Sequence, residues 1–76
     1  MTSEQLKSRL VAEGFNPHSY SIDGSPLPVD GFVLERHGTC WKIDYFERGE
    51  ARELAWLTSE TEACEKMYEF LATEFK

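Results

Sequence analysis

The sequence predicts an α+β fold: an N-terminal helix, a three- to four-stranded antiparallel meander, and a C-terminal helix packed on one face of the sheet. Three observations carry this reading. Leu6, Leu10 and Val11 recur at helical spacing ahead of Gly14. Trp41, Ile43 and Tyr45 alternate with Lys42 and Asp44 at strand spacing. A second helical stripe, Ala63, Cys64, Met67, Tyr68, Leu71 and Phe75, follows a capping-box pattern at Ser59 and Glu62. With 76 residues there is room for one domain, spanning 1–76, and for one modest core. A hydrophobic share of 41% with 13% aromatics is enough to offset the entropy of ordering, so the chain reads as folded throughout.

The first helix begins at Thr2 or Ser3, with Gln5 three residues after Thr2 as a capping-box partner, and ends at Gly14. Phe15, just past the glycine, is placed to fold back on the helix. Residues 16–31 hold all three prolines and read as a short edge strand at Ser19 to Ile22 followed by an irregular loop through Gly24-Ser25-Pro26 and Leu27-Pro28. Phe32 to Arg36 and Thr39 to Phe46 form a hairpin about His37-Gly38. Glu47-Arg48-Gly49-Glu50 is the next turn, Gly49 supplying a positive φ. Ala51 to Leu57 returns as a strand with Leu54 and Trp56 on one face. A helix there competes, because Ala, Arg, Glu and Leu favour one. The last helix places Glu60 and Glu62 at its N-terminus, where the helix dipole favours them.

Chemistry finds little purchase. His18, His37, Cys40 and Cys64 are the metal candidates, but their spacing matches no familiar zinc module, so no metal is expected. Cys40 and Cys64 sit beside large apolar residues and read as structural thiols, a disulfide being the alternative in an exported chain. No nucleophile elbow, glycine-rich phosphate loop or basic stripe appears. The expectation is a non-enzyme without cofactor that does not bind nucleic acid directly. The start is polar rather than a basic stretch before an apolar run, and no apolar run is long enough to span a bilayer, so a cytoplasmic protein is expected.

Charge is the feature left over. The net charge is −6, and residues 39–76 carry nine acids against five bases, compared with five against three in residues 1–38. An acidic half disfavours phosphate binding and favours a basic partner. Asp44, Glu47, Glu50 and Glu53 fall on the second hairpin, where outward carboxylates can line one rim of the sheet. Arg48 is placed to orient a partner carboxylate or to hold the turn. The plain alternative is a solvated surface that guards an exposed edge.

The arrangement Gly38, Trp41, Ile43, Tyr45, Glu47, Arg48 and Gly49, followed by Glu62, Ala63 and Cys64 opening a terminal helix, resembles small bacterial immunity proteins of polymorphic-toxin and contact-dependent growth-inhibition systems. The resemblance covers roughly the C-terminal half. It implies a cytoplasmic protein, monomeric or weakly dimeric when free, that binds a cognate toxin domain, often a nuclease, and blocks its active site or substrate approach. It carries over no set of contact residues, so Asp44, Glu47, Arg48, Glu50 and Glu53 are candidates from charge and position alone. Two rivals remain: an acidic nucleic-acid mimic that inhibits a DNA-binding protein, and a non-catalytic adaptor.

Overall fold

A computed structural model describes residues 1–23 and 30–75. In chain order it contains α1 (Ser3–Ala12), a 3-10 turn (Pro17–Ser19), β1 (Tyr20–Ile22), β2 (Asp30–His37), β3 (Cys40–Glu47), β4 (Glu50–Leu57) and α2 (Glu60–Phe75). The strands form one sheet in the order β1-β2-β3-β4. The fold is α+β as the sequence predicts, and β2, β3 and β4 form the antiparallel meander. The fourth strand departs from it, because β1 pairs with β2 in parallel. The loop through Gly24-Ser25-Pro26 and Leu27-Pro28, and the side chain of Phe75, lie outside the described residues.

Local chemistry sets the helix ends. Thr2 accepts from the Gln5 amide while the Gln5 side chain accepts from the Thr2 amide, completing the capping box. At the other end Gly14 takes φ 80°, and the Gly14 and Phe15 amides return to the Val11 and Leu10 carbonyls. This is a Schellman closure, and it swings Phe15 into the core. Val11, by contrast, is 70% exposed and belongs to no core stripe. Ser59 caps α2 by accepting from the Glu62 amide at 3.1 Å.

One face of the sheet carries the core. Phe32 and Leu34 of β2 and Trp41 and Ile43 of β3 cluster with Leu6, Leu10 and Phe15 from the first helix region and Ala63, Cys64, Met67 and Leu71 from α2. Burying each large aliphatic side chain in this set is worth about 1.5–3 kcal/mol against leaving it in water. The two helices are joined along their lengths. Glu60 of α2 accepts from the Ser3 amide at 2.9 Å, so a residue of one helix start satisfies an orphan donor of the other. Farther along, Arg9 donates to Glu13 at 2.8 Å and lies 4.0 Å over the Tyr68 ring, while the Tyr68 hydroxyl donates to Glu13.

β4 is a strand, not the competing helix, since pairing along β3 outweighs propensity. Its register shifts opposite Ile43 and Asp44, where Ala55 faces Ile43 and Glu53 faces Asp44, leaving Leu54 as the extra residue of a bulge. That one residue breaks the period-two alternation. Leu54 and Leu57 both pack against the core. Trp56, which a regular strand would place beside Leu54, instead faces away from the helices and is 50% exposed.

Gly31 marks a close approach of backbones. A Cβ at this position would stand 2.1 Å from the Ser19 carbonyl oxygen, so only glycine lets the 3-10 turn and β1 lie against β2. Gly31→Ala is expected to displace that edge and cost about 2 kcal/mol or more. In thermal melts this would appear as a fall in Tm of roughly 8–16 °C.

Both cysteines are free thiols; Cys64 is fully buried and Cys40 half-buried. Burial, reinforced by Glu60, pushes the Cys64 thiol from 9.0 up to about 11. A raised acid pKa means that the native state keeps a proton which the unfolded chain loses first. The associated stability is therefore complete below pH 9 and is lost as pH rises from 9 towards 11. Denaturant titrations should show stability declining over that window, with the decline reduced in Cys64→Ala. Thiol labelling at pH 8 should modify Cys40 alone until the protein unfolds.

Candidate functional site

The two faces of the sheet treat the sequence-predicted acids differently. Asp44 alternates with Ile43 and Tyr45 and lies on the face away from the helices, opposite Val33 and Glu53. It is only 7% exposed, is paired with Lys42 at 3.3 Å, and has a second carboxylate oxygen that is buried without a hydrogen-bond partner among the described residues. A carboxylate already buried beside its own lysine has little to offer an incoming cation. Glu53, next to it on β4, is exposed. Around them on this face lie the Glu35–His37 pair at 2.9 Å and Trp56, which His37 meets edge-on at 5.5 Å and Lys42 approaches at 5.8 Å.

Glu47, Arg48 and Glu50 are gathered elsewhere, at the end of the β3–β4 hairpin. Arg48 and Gly49 have φ of 52° and 80°, two successive left-handed residues that make a type I′ turn. Asparagine or glycine suits the first of these positions. An arginine there adopts a backbone conformation that costs about 1–2 kcal/mol for an ordinary side chain. The register sets Glu47 directly opposite Glu50 on one side and Asp30 on the other. Three carboxylates thus stand in a row across three strands, on the face that carries the helices, with neighbouring Cβ atoms about 4.5–5.5 Å apart. Among the described residues only the Arg48 amide, 3.4 Å from Asp30, answers any of them with a hydrogen bond. Like charges directly opposite destabilise a sheet, so the fold gains nothing from this row.

The row borders a groove of about 330 Å³ lined by Phe32, Tyr45, Arg52, Leu54, Phe70 and Glu74. Phe32 forms its floor, stacked on Phe70 at 5.5 Å and meeting Tyr45 edge-on at 5.0 Å. Burial raises the Tyr45 hydroxyl above its ordinary pKa, and the charges of Glu47, Asp30 and Glu74 push it further, with Arg52 opposing them. The hydroxyl therefore stays a neutral hydrogen-bond donor in a negative field.

No family model, curated protein or solved structure matches this chain. The site is consequently defined by its own geometry. Charge reasoning from the sequence picked out Glu47, Arg48 and Glu50 and missed Asp30, Glu74 and the aromatic groove. Two signals pointed to the missing residues. Counting back through the first hairpin sets Asp30 opposite Glu47, and Phe70 and Glu74 stand four apart on one helix face. Among the described residues no three His, Cys, Asp or Glu side chains come together as a metal site, and no helix is long and apolar enough to cross a membrane.

If the carboxylate row is a cost to folding, relieving it stabilises. Glu47→Gln should raise stability by about 0.2–1 kcal/mol at low ionic strength, with the gain shrinking in 1 M salt as screening replaces the substitution. Arg48→Asn should also raise it, and this gain should persist in salt because it is conformational. Urea melts at two salt concentrations separate the two effects.

Proposed function

We propose that this chain is a non-catalytic immunity protein that binds and neutralises a cognate bacterial toxin domain, a basic nuclease, by stoichiometric occlusion of its active site in the cytoplasm. The observation that carries this reading is the row Asp30, Glu47 and Glu50 at the mouth of an aromatic groove, kept although it opposes folding. Strained or repulsive features that stability does not explain concentrate at functional surfaces. A nuclease presents a basic cleft shaped for phosphates, and carboxylates held on a rigid sheet can occupy the same positions. The net charge of −6 adds long-range attraction, and the resemblance of the strand-turn-helix half to immunity proteins supplies the class of partner.

In this reading Glu47, Arg48 and Glu50 make contact, joined by Asp30 and Glu74, while Asp44 serves the fold. The free protein is a monomer or weak homodimer. The nucleic-acid-mimic alternative calls for a continuous stripe of acids. Here the carboxylates are divided among the hairpin end, the opposite sheet face with Glu35 and Glu53, and the exposed side of α2, which counts against it.

The product of the gene immediately upstream is the partner to test. Mixed in equal amounts, the two should form a stable complex, and co-expression should protect cells from that product. Absence of both binding and protection rejects the proposal. Within the complex, Glu47→Lys and Glu50→Lys should each weaken affinity by about tenfold, mainly through slower association at low salt. Asp44→Asn should leave affinity unchanged.

A further inference from the structure

We propose that the groove between β3, β4 and α2 is an anchor pocket for a single arginine side chain of the partner protein. Its guanidinium would lie over Tyr45 and donate to Glu74. This rests on the acidic hairpin end being the docking face, and it names what enters there.

Size restricts the occupant. A groove of about 330 Å³ stands at the lower end of the roughly 300–1,000 Å³ typical of small-ligand sites, too small for a helix or strand and ample for one long side chain. Its lining restricts the chemistry. Tyr45 and Phe70 are partly exposed aromatic rings, and Glu74 stands on the α2 wall with Arg52 on the β4 wall. Neither Glu74 nor Arg52 forms an ion pair among the described residues. With Asp30, Glu47 and Glu50 at the mouth, acids outnumber bases, so a cation is the complementary guest.

The chain holds a pattern for this interaction within itself. Between the helices, the Arg9 guanidinium lies 4.0 Å over the Tyr68 ring and donates to Glu13 at 2.8 Å, with the Tyr68 hydroxyl donating to the same carboxylate. The groove offers a tyrosine ring and a glutamate, and its own Arg52, across the strand pair from Tyr45, is engaged with neither a ring nor a carboxylate among the described residues. A planar guanidinium stacks on the ring and presents N–H groups sideways to a carboxylate, whereas an ammonium satisfies one demand at the expense of the other, so arginine is preferred to lysine.

The experiment is titration of the isotopically labelled protein with the capped peptide acetyl-Gly-Arg-Gly-amide, followed by NMR. The same peptide with lysine or with neutral citrulline in the central position serves as comparison. The arginine peptide should shift the Tyr45, Arg52, Leu54, Phe70 and Glu74 signals with Kd on the order of 1 mM. Lysine should bind more weakly, and citrulline should leave these signals in place. Glu74→Gln should weaken arginine binding about two- to fivefold, and Arg52→Ala, which removes the opposing charge, should tighten it by a similar factor.

Equal shifts with citrulline, or no shift in the groove, overturn the proposal. Shifts confined to Glu47 and Glu50 overturn the pocket while leaving the acidic end as a docking face. Arginine binding in the groove together with failure of the upstream product to bind upholds the pocket and rejects the immunity reading. Both substituted side chains lie on the protein surface, and unchanged thermal melts distinguish altered binding from unfolding.

Discussion

Burial of one face of the β2–β3 pair is the constraint on which the rest of the molecule depends. Leu34 and Ile43 stand opposite each other at its centre and are completely shielded by residues from both helices. A domain this small has one such core, and every other element is placed by what it must do around it. Helix α1 supplies Leu6 and Leu10, and its Schellman closure adds Phe15. Helix α2 supplies the apolar side that runs from Ala63 to Leu71. Because strand side chains alternate, covering one face hands the other to Lys42, Asp44, Glu35 and Trp56.

The candidate site is placed by the same geometry. Helix α2 packs on β2, β3 and β4, and Phe70 and Glu74 near its end line the groove beside the hairpin end, where the row of core residues gives way to Asp30, Glu47 and Glu50. The groove is lined from the sheet by Phe32 and Tyr45 and from α2 by Phe70, which stacks on Phe32. A rigid sheet end presenting charge beside an aromatic cleft suits recognition, since the groups are held in position before the partner arrives and little ordering remains to be done on binding. The proposed docking role would account for the tension between repulsive carboxylates and a small core.

How much of this was legible in the chain varies with the range of the interaction concerned. Both helices, their caps and the two hairpins were readable, because a capping box, a glycine past the last helical residue and a glycine-containing turn act over a few residues. Leu54 and Trp56 show where reading failed. Period-two alternation puts them on one face, but the bulge opposite Ile43 and Asp44 separates them, and no short-range signal in β4 announces it. Val11 likewise has helical spacing but lies beyond the width of the buried stripe.

The sequence by itself determined the α+β class, the order of elements, the exclusion of familiar catalytic and metal motifs, and the concentration of acid on the second hairpin. Local propensity, turn chemistry and charge are properties of neighbouring residues. Only the tertiary structure decided that β1 joins in parallel across the Gly31 approach to Ser19, that Asp44 is buried with Lys42, and that Glu74 meets Tyr45 and Arg52 at one groove. Those outcomes depend on which distant segments are brought into contact. A carboxylate is exposed or part of the fold according to the neighbours that pairing gives it.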